Sequence, residues 1–387
     1  MAMRQGCGSS SCCRYKDQVC GMALLLLALL ASDAQAAPPP CDYATIIKPP
    51  CVWQSTPPPG LPFARSKTLQ GILILENASS IPNYGADTWY PAEDRHGDLF
   101  SGFDDGKVDG VSVGSACTRP RAKCASGMFG FHTGSAVVSG GDWRNLSVRA
   151  PGGAIFEDGF PMQGRYTCAN AVANGTWWVG SYGLAVGDAS CEAGTGVLQF
   201  CEMGPFVGFR SSTDAGATWN EPRRPDGSIL NVSTPLFGEA VGSSVKLGAP
   251  HIVDFGPENS LSPDGHLYAV GNGCLASKPN SNCSWISGDA VFMARASGYS
   301  AAKPDSLNNP ANWEFFCGKT GGVEEDCWTA KVAEATPILT WEGRVGTVTA
   351  TWHPGLKRFL FAITTPTVLP STVGPYDTWS VLVLIPL

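Results

Sequence analysis

Short β-branched and aromatic runs recur along this chain between turns built from Gly, Asp, Asn and Pro, and almost no stretch carries a helical period. The runs include GILILE, GDLFSGF, TWWVGSYGLA, FVGFR, PHIVDFG, HLYAVGNG, AVFMARA, VGTVTATW and RFLFAITT. Strands of this kind at regular spacing predict an all-β protein. Several runs come in pairs of one design: a polar start near Pro or Trp, a turn with Asp or Asn and Gly, then a return strand rich in Tyr, Phe or Trp. Four such pairs are ADTWYPAEDRHGDLFSGF, RYTCANAVANGTWWVGSY, PHIVDFGPENSLSPDGHLYAVGNG and TVTATWHPGLKRFLFAIT, and GPYDTW at 374–379 is a fifth start. One hairpin design repeated over this length predicts a five-bladed β-propeller, each blade a four-stranded sheet around a central channel. A sandwich or jelly roll has too few strands to use so long a chain in one domain.

The first residues read differently. Arg14 and Lys16 precede the apolar run GMALLLLALLA at 21–31, and small residues follow at Ala34 and Ala36, the pattern of a secretory leader cleaved after Ala36. The expected organisation is therefore a signal peptide at 1–36, a Pro-rich lead-in at 37–65 and the propeller at 66–387. The run is short for a membrane span and no later stretch rivals it, so no membrane contact is expected after cleavage.

Export predicts disulfides. Of 15 cysteines, four lie in the leader, and the others fall into close pairs: Cys41 with Cys51, Cys117 with Cys124, Cys191 with Cys201, Cys274 with Cys283, and Cys317 with Cys327. Cys168 is left over, with Cys168–Cys191 as the competing connectivity. No CxxC pair supports a zinc site. Sequons at Asn77, Asn145, Asn174, Asn231 and Asn282 agree with a secreted glycoprotein. The net charge is −7, and removing the leader's three basic and two acidic residues makes it one unit more negative. An acidic chain without a basic stripe does not suit nucleic acid.

The stretch RSSTDAGATW matches the Asp-box, SxDxGxTW, found in the outer hairpins of sialidases and related propellers, through Ser212, Asp214, Gly216, Thr218 and Trp219. Its chemistry is local: a carboxylate to receive turn N–H groups, a glycine for positive φ and a Trp to tuck between strands. The expected role is structural.

Chemistry is expected where inner strands meet the channel mouth. The first hairpin turns at EDRHG, centred on His96. A constant pair sum then sets Asp87 opposite Asp105, with Asp104 as the partner if the register slips. Two close carboxylates push one pKa up while the other stays ionised, the arrangement glycoside hydrolysis requires. A solvated turn, or a calcium loop using Asp104, Asp105 and Asp109, is the competing reading; no cofactor is required, and such a calcium would be structural. Trp89 is a candidate sugar platform or a packing residue, and Arg165 a hydroxyl or carboxylate contact or an ion-pair partner. His251 and Asp254 are further candidate contacts, although strand alternation allows only one of them to face the channel. Glu334 and Asp377 are additional carboxylates, and Asp289 is read as a turn organiser.

Together GADTWYP, GDLFSGFDDG, HTGSAVVSGGDWRNLSV, GRYTCANAVANGTWWVGSYG, GPFVGFRSSTDAGATW, HIVDFGPENSLSPDGHLYAVGNG, SWISGDAVFMAR and YDTW resemble, over residues 69–379, the arabinanase-like five-bladed propellers. Some members of that family are endo-acting arabinan hydrolases. The resemblance implies catalytic acids in the first hairpin, at Asp87 and Asp105. The family continues beyond its YDTW-like strand, whereas here SVLVLIPL follows, so an incomplete last blade is expected, or GILILE completes the ring. A sialidase is a weaker match, with one Asp-box and no Phe-Arg-Ile-Pro motif. The expected function is hydrolysis of a polysaccharide such as an arabinan, and the alternative is a non-catalytic glycan-binding or adhesion propeller.

Overall fold

The computed structural model describes residues 38–40, 50–54, 60, 62–63, 71–74, 85–114, 133–141, 146–152, 154–156, 165–185, 202–240, 244–275, 283–285, 287–319, 326–366 and 378–386. The signal-peptide region lies outside these. The described residues are almost wholly β: their helical pieces are short 3-10 turns such as Pro257–Asn259 and Pro304–Asn308. No helix among them is long and apolar enough to cross a membrane.

The chain divides into two compact units, Met1–Thr56 with Lys67–Ser79, and Pro57–Ser66 with Ser80–Leu387. In the first, β1 (Cys51–Gln54) pairs antiparallel with β2 (Gly71–Ile74), so GILILE finds its partner in the CVWQ run.

Among the described residues the second unit holds four antiparallel sheets. Sheet A contains β3 (Gly85–Asp87), β4 (Ala92–Glu93), β5 (Leu99–Val108), β6 (Val111–Val113), β7 (Thr133–Ser139), β8 (Ser147–Arg149) and β9 (Ala154–Phe156). Sheet B is β10 (Arg165–Ala173), β11 (Thr176–Ala185) and β12 (Glu202–Ser212). Sheet C comprises β13 (His251–Ile252), β14 (Leu267–Gly273), β15 (Gly288–Ala296), β16 (Trp313–Lys319), β17 (Asp326–Thr329) and β18 (Leu339–Val345). Sheet D is β19 (Val348–His353), β20 (Arg358–Pro366) and β21 (Thr378–Pro386).

All four paired runs form antiparallel hairpins. The tightest is β10–β11, where Asn174 and Gly175 both take positive φ (51° and 73°), as a two-residue turn matched to strand twist requires. GPYDTW opens no sheet of its own among the described residues: Thr378 and Trp379 head β21, which pairs along β20 as the third strand of sheet D.

Successive sheets are joined through their leading strands. The Thr167 N–H of β10 reaches Asp104 of sheet A at 2.7 Å. Ala169 N donates to Pro250 O, just before β13, at 2.7 Å. Asp254 exchanges backbone bonds with β19, its N–H to Ala350 O and its C=O from Trp352 N. Between sheets B and C lies the largest apolar core, with Trp178, Phe206, Phe209, Phe292 and Trp313 buried in it. Rings of this size supply most of the burial energy, roughly 25 cal/mol per Å² of apolar surface.

The RSSTDAGATW turn closes on itself. Asp214 accepts from Thr218 N (2.9 Å), Thr218 Oγ1 (2.6 Å) and Ser212 Oγ (2.8 Å). Trp219 packs edge-on against Trp177 with centroids 4.7 Å apart. Thr218 above all holds the Asp214 carboxyl below its ordinary pKa.

Two disulfides are present among the described residues, Cys274–Cys283 and Cys317–Cys327. Cys51 is also disulfide-bonded, and Cys41, Cys117, Cys124, Cys191 and Cys201 lie outside the described residues. Cys168 is a free, buried thiol, which rules out Cys168–Cys191. Of the sequons, Asn174 is exposed in its hairpin turn and Asn231 anchors an Asx turn to Ser233 N, while the other three lie outside the described residues.

Candidate functional site

The first hairpin corrects the expected register. Ala92 faces Phe100, Glu93 faces Leu99 and Gly85 faces Lys107, all on the sum expected from a turn at His96. At Asp87 the ladder slips by one, and its partner is Asp104 instead of Asp105. The slip is a bulge at Asp105, whose backbone is left-handed (φ 44°), and Thr88, the residue after Asp87, is left-handed as well (φ 57°). A third, Ala169 (φ 23°), lies in the bulge of the neighbouring strand β10. Non-glycine residues held in this region store about 1–3 kcal/mol each, and such strain concentrates at functional sites.

The slip sends the aspartates to different environments. Asp104 has no solvent exposure. Its carboxylate is held by Thr167 N (2.7 Å) and Thr88 Oγ1 (3.0 Å) on Oδ2, and by Thr133 Oγ1 (3.0 Å) on Oδ1. Burial raises its pKa well above the usual range, against the opposing effect of these donors. Asp87 is exposed, yet the protein around its carboxyl strips enough water, with Asp105's charge adding to it, to raise its pKa to about 6 despite the Thr88 hydrogen bond. Thr88 Oγ1 also lies 3.3 Å from Asp87 Oδ1, so one hydroxyl touches both carboxylates.

Close approach here depends on glycine. A Cβ on Gly102 would stand 2.5 Å from Thr167 Cγ2, and one on Gly106 would stand 1.8 Å from Gly85 O. The two positions flank Asp104 and allow β10 and β3 to close on it.

Beside the aspartates lie weaker acids, the half-buried Tyr90 and the buried Tyr182 and Cys168. Tyr90 packs on His251 with centroids 3.9 Å apart. Burial, then the charges of Cys168, Asp104 and Asp87, pushes the Tyr90 hydroxyl up, while a Thr347 hydrogen bond opposes the shift. Burial likewise raises Tyr182 and the Cys168 thiol, so both stay protonated. His251 is 2% exposed, neither ring nitrogen has a hydrogen-bond partner among the described residues, and burial lowers its pKa to about 3. It is a neutral imidazole at ordinary pH.

The remaining expected contacts do not converge on the aspartates. Trp89 stacks on Phe103 (5.6 Å, 19°) and donates to Ala86 O at 3.0 Å, so its ring braces the β3 bend. Asp254 accepts from Gly256 N at 2.8 Å and lines a separate open pocket with Pro91, Glu93, Asn170, Phe255 and Asn259. Arg165 opens β10 opposite Gly183, and its side chain lies outside the described residues. Glu334 is spent at the surface on Lys331 and Thr329. Asp289 is buried and bonded by Leu275 N and Gly343 N. Asp377 lies outside the described residues.

The carboxylates of the calcium-loop reading also part ways, Asp104 turning inward and Asp109 accepting from Ala150 N at 3.1 Å. No group of three or more His, Cys, Asp or Glu side chains able to hold a metal occurs among the described residues. Thr88, Thr133, Thr167 and Tyr90 had no motif to single them out. The one usable signal was that Thr88 and Tyr90 stand beside Asp87 in DTWYP.

No protein-family model matches the chain, and no curated protein matches it. Among solved structures it is similar to a candidate glycosidase from Bacteroides thetaiotaomicron VPI-5482, at 9% identity over 78% of this chain and 67% of that one, with a TM-score of 0.37. It is also similar to a candidate glycoside hydrolase from Parabacteroides distasonis ATCC 8503, at 9% identity over 81% and 72% with a TM-score of 0.38. A glycosyl hydrolase from Bacteroides ovatus gives 10% identity over 80% and 68%, with a TM-score of 0.37.

Proposed function

We propose that this chain is a secreted glycoside hydrolase acting on a polysaccharide such as an arabinan, with Asp87 and Asp105 as its carboxylate pair. The observation that carries the reading is the exposed Asp87 carboxyl, raised to about 6 by desolvation and by the neighbouring Asp105 charge. A carboxyl tuned to that range can hold a proton for a leaving oxygen, while a second carboxylate serves as nucleophile or base. The left-handed backbone at Thr88 and Asp105, which sets the two side chains, adds support from the conformation. The reading includes a five-bladed propeller in which sheets A to D are four successive blades, favoured by their links through leading strands. It asks for no cofactor, and Arg165 remains its candidate substrate contact, whereas the buried His251 can act only through the Tyr90 ring packed on it.

The test is release of reducing ends from arabinans, galactans and cell-wall extracts by the mature protein beside Asp87→Asn and Asp105→Asn. Loss of activity in both variants, with folding intact, establishes the enzyme and its acids together. Glycan binding without hydrolysis in all three proteins replaces the enzyme by a binding module.

A further inference from the structure

We propose that the Thr88 hydroxyl joins Asp87 and Asp104 into one proton-sharing unit, with Asp104 as a buried store and Asp87 as its outlet to solvent. Thr88 Oγ1 lies 3.3 Å from Asp87 Oδ1 and 3.0 Å from Asp104 Oδ2. A hydroxyl carries one proton and two acceptor sites, so it donates to one carboxylate while accepting from the other once that one is protonated. Two arrangements therefore share the same heavy atoms. In the first, Asp87 is protonated and donates to Thr88, which donates to an ionised Asp104. In the second, Asp104 is protonated and donates to Thr88, which donates to an ionised Asp87. Conversion moves the Asp87 proton onto Thr88 Oγ1 as the hydroxyl's own proton passes to Asp104 Oδ2. Two O–H bonds break, two form, and the pair keeps a single negative charge.

The surroundings make Thr88 the route. Asp104 has no exposed surface, and its other partners are a backbone N–H, which cannot pass a proton on, and the equally buried Thr133 hydroxyl. Among the described residues Thr88 is the group that touches both Asp104 and an exposed carboxylate. Its posture is fixed from the neighbouring strand, because Thr167 Oγ1 donates to Thr88 O at 3.0 Å. A β-branched residue at φ 57° is costly, which argues that this hydroxyl is held where it is by the packing around it. The other titratable groups facing the unit are Asp105 of β5, Cys168 of β10, Tyr182 of β11 and Tyr90, with His251 behind Tyr90 and Lys107 further along β5. The use of the device rests on the hydrolase reading, since an acid that gives up a proton must regain one. Its test does not.

The test follows the side-chain carboxyl carbon of Asp87 by NMR from acid to alkaline pH in 13C-aspartate-labelled protein. All proteins compared carry Asp105→Asn, which removes the other carboxylate whose charge acts on Asp87. In this parent the curve carries two inflections, one from Asp87 and one transmitted from Asp104. Thr88→Val, which keeps the shape and removes the hydroxyl, leaves one inflection and moves it up by about one pH unit through loss of a donor. Thr88→Ser restores the parent curve. Should Thr88→Val not fold, Asp104→Asn in the same parent also leaves one step, because it removes the buried end. An unchanged two-step curve in folded Thr88→Val or Asp104→Asn, or failure of Thr88→Ser to restore it, overturns the proposal. Coupled titration in a protein that hydrolyses no glycan leaves the unit standing and removes the hydrolase reading.

Discussion

Asp104→Ala and Asp104→Asn separate the fold contribution of the buried aspartate from its charge. Alanine leaves the Thr167 N–H in a dry interior without an acceptor, which costs about 1–3 kcal/mol, and the Thr88 and Thr133 hydroxyls lose their partner as well. Relief of the desolvated carboxylate offsets part of this, so the net loss is about 2–4 kcal/mol, or on the order of 3–5 °C in Tm for a chain of this size. Asparagine can set its oxygen at the Oδ2 position, facing Thr167 N and Thr88, and its NH2 toward Thr133, whose hydroxyl can turn to accept. Asp104→Asn therefore stays within about 1 kcal/mol of the wild type near pH 7. The pH dependence adds a sign. Native Asp104 holds its proton more tightly than the unfolded chain does, so wild-type stability falls as pH rises above the unfolded value of 3.8. Asp104→Asn lacks that slope, and its stability relative to the wild type improves with rising pH. Thermal melts from pH 4 to 8 by circular dichroism decide the matter. Equal destabilisation by Asn and Ala, or no effect of Ala, refutes the account of Asp104 as a hydrogen-bonded tie between sheets A and B.

Gly102→Ala forces a methyl group against Thr167 Cγ2, so Tm falls and glycan hydrolysis falls with it, whereas Gly141→Ala, with nothing within 4 Å of the added methyl, leaves hydrolysis untouched in the same assay. His251 resists protonation down to about pH 3 against 6.5 unfolded, so it draws stability down as pH falls through that window; His251→Phe flattens the acid limb of a Tm-against-pH curve. Asp87 acts with the opposite sign, its contribution falling as pH rises from 3.8 to about 6, and Asp87→Asn removes that limb in the same melts. Asp214→Ala breaks the bonds within its turn and lowers Tm by a few degrees, while the rate of reducing-end release is unchanged.

The hairpins were legible because each is written locally. Asn174–Gly175 between β-branched and aromatic runs dictates a two-residue turn, and the register of β10 on β11 beside it follows from that turn. The site was legible only to the nearest residue. The constant-sum rule holds at Ala92, Glu93 and Gly85 and fails at Asp87, because Thr88 and Asp105 take a backbone conformation that their residue types do not announce. A glycine at either position would have signalled a bulge. Trp89 was ambiguous for a related reason: whether an indole is a platform or a brace depends on Phe103, fourteen residues away in sequence and 5.6 Å away in space. The separation of Asp254 from the aspartates was half visible, since strand alternation already set it on the opposite side from His251.

That failure of local rules has one physical source. Thr88, Asp105 and Ala169 each hold a backbone conformation that an isolated hairpin would relax, and each stands next to a contact between sheets: Thr88 O with Thr167 Oγ1, Asp104 with Thr167 N, and Ala169 N with Pro250 O. The strain in β3, β5 and β10 is thus balanced by bonds that exist only when sheets A, B and C are assembled. Asp104 becomes buried and Asp87 acquires its raised pKa in the same event, so the acid chemistry of the site is a property of the assembled sheets and is absent from any one hairpin. It follows that a variant which loosens the sheet A to sheet B contact without touching an aspartate, as Gly102→Ala does, returns the Asp87 titration toward the ordinary carboxylate range even where the secondary structure survives.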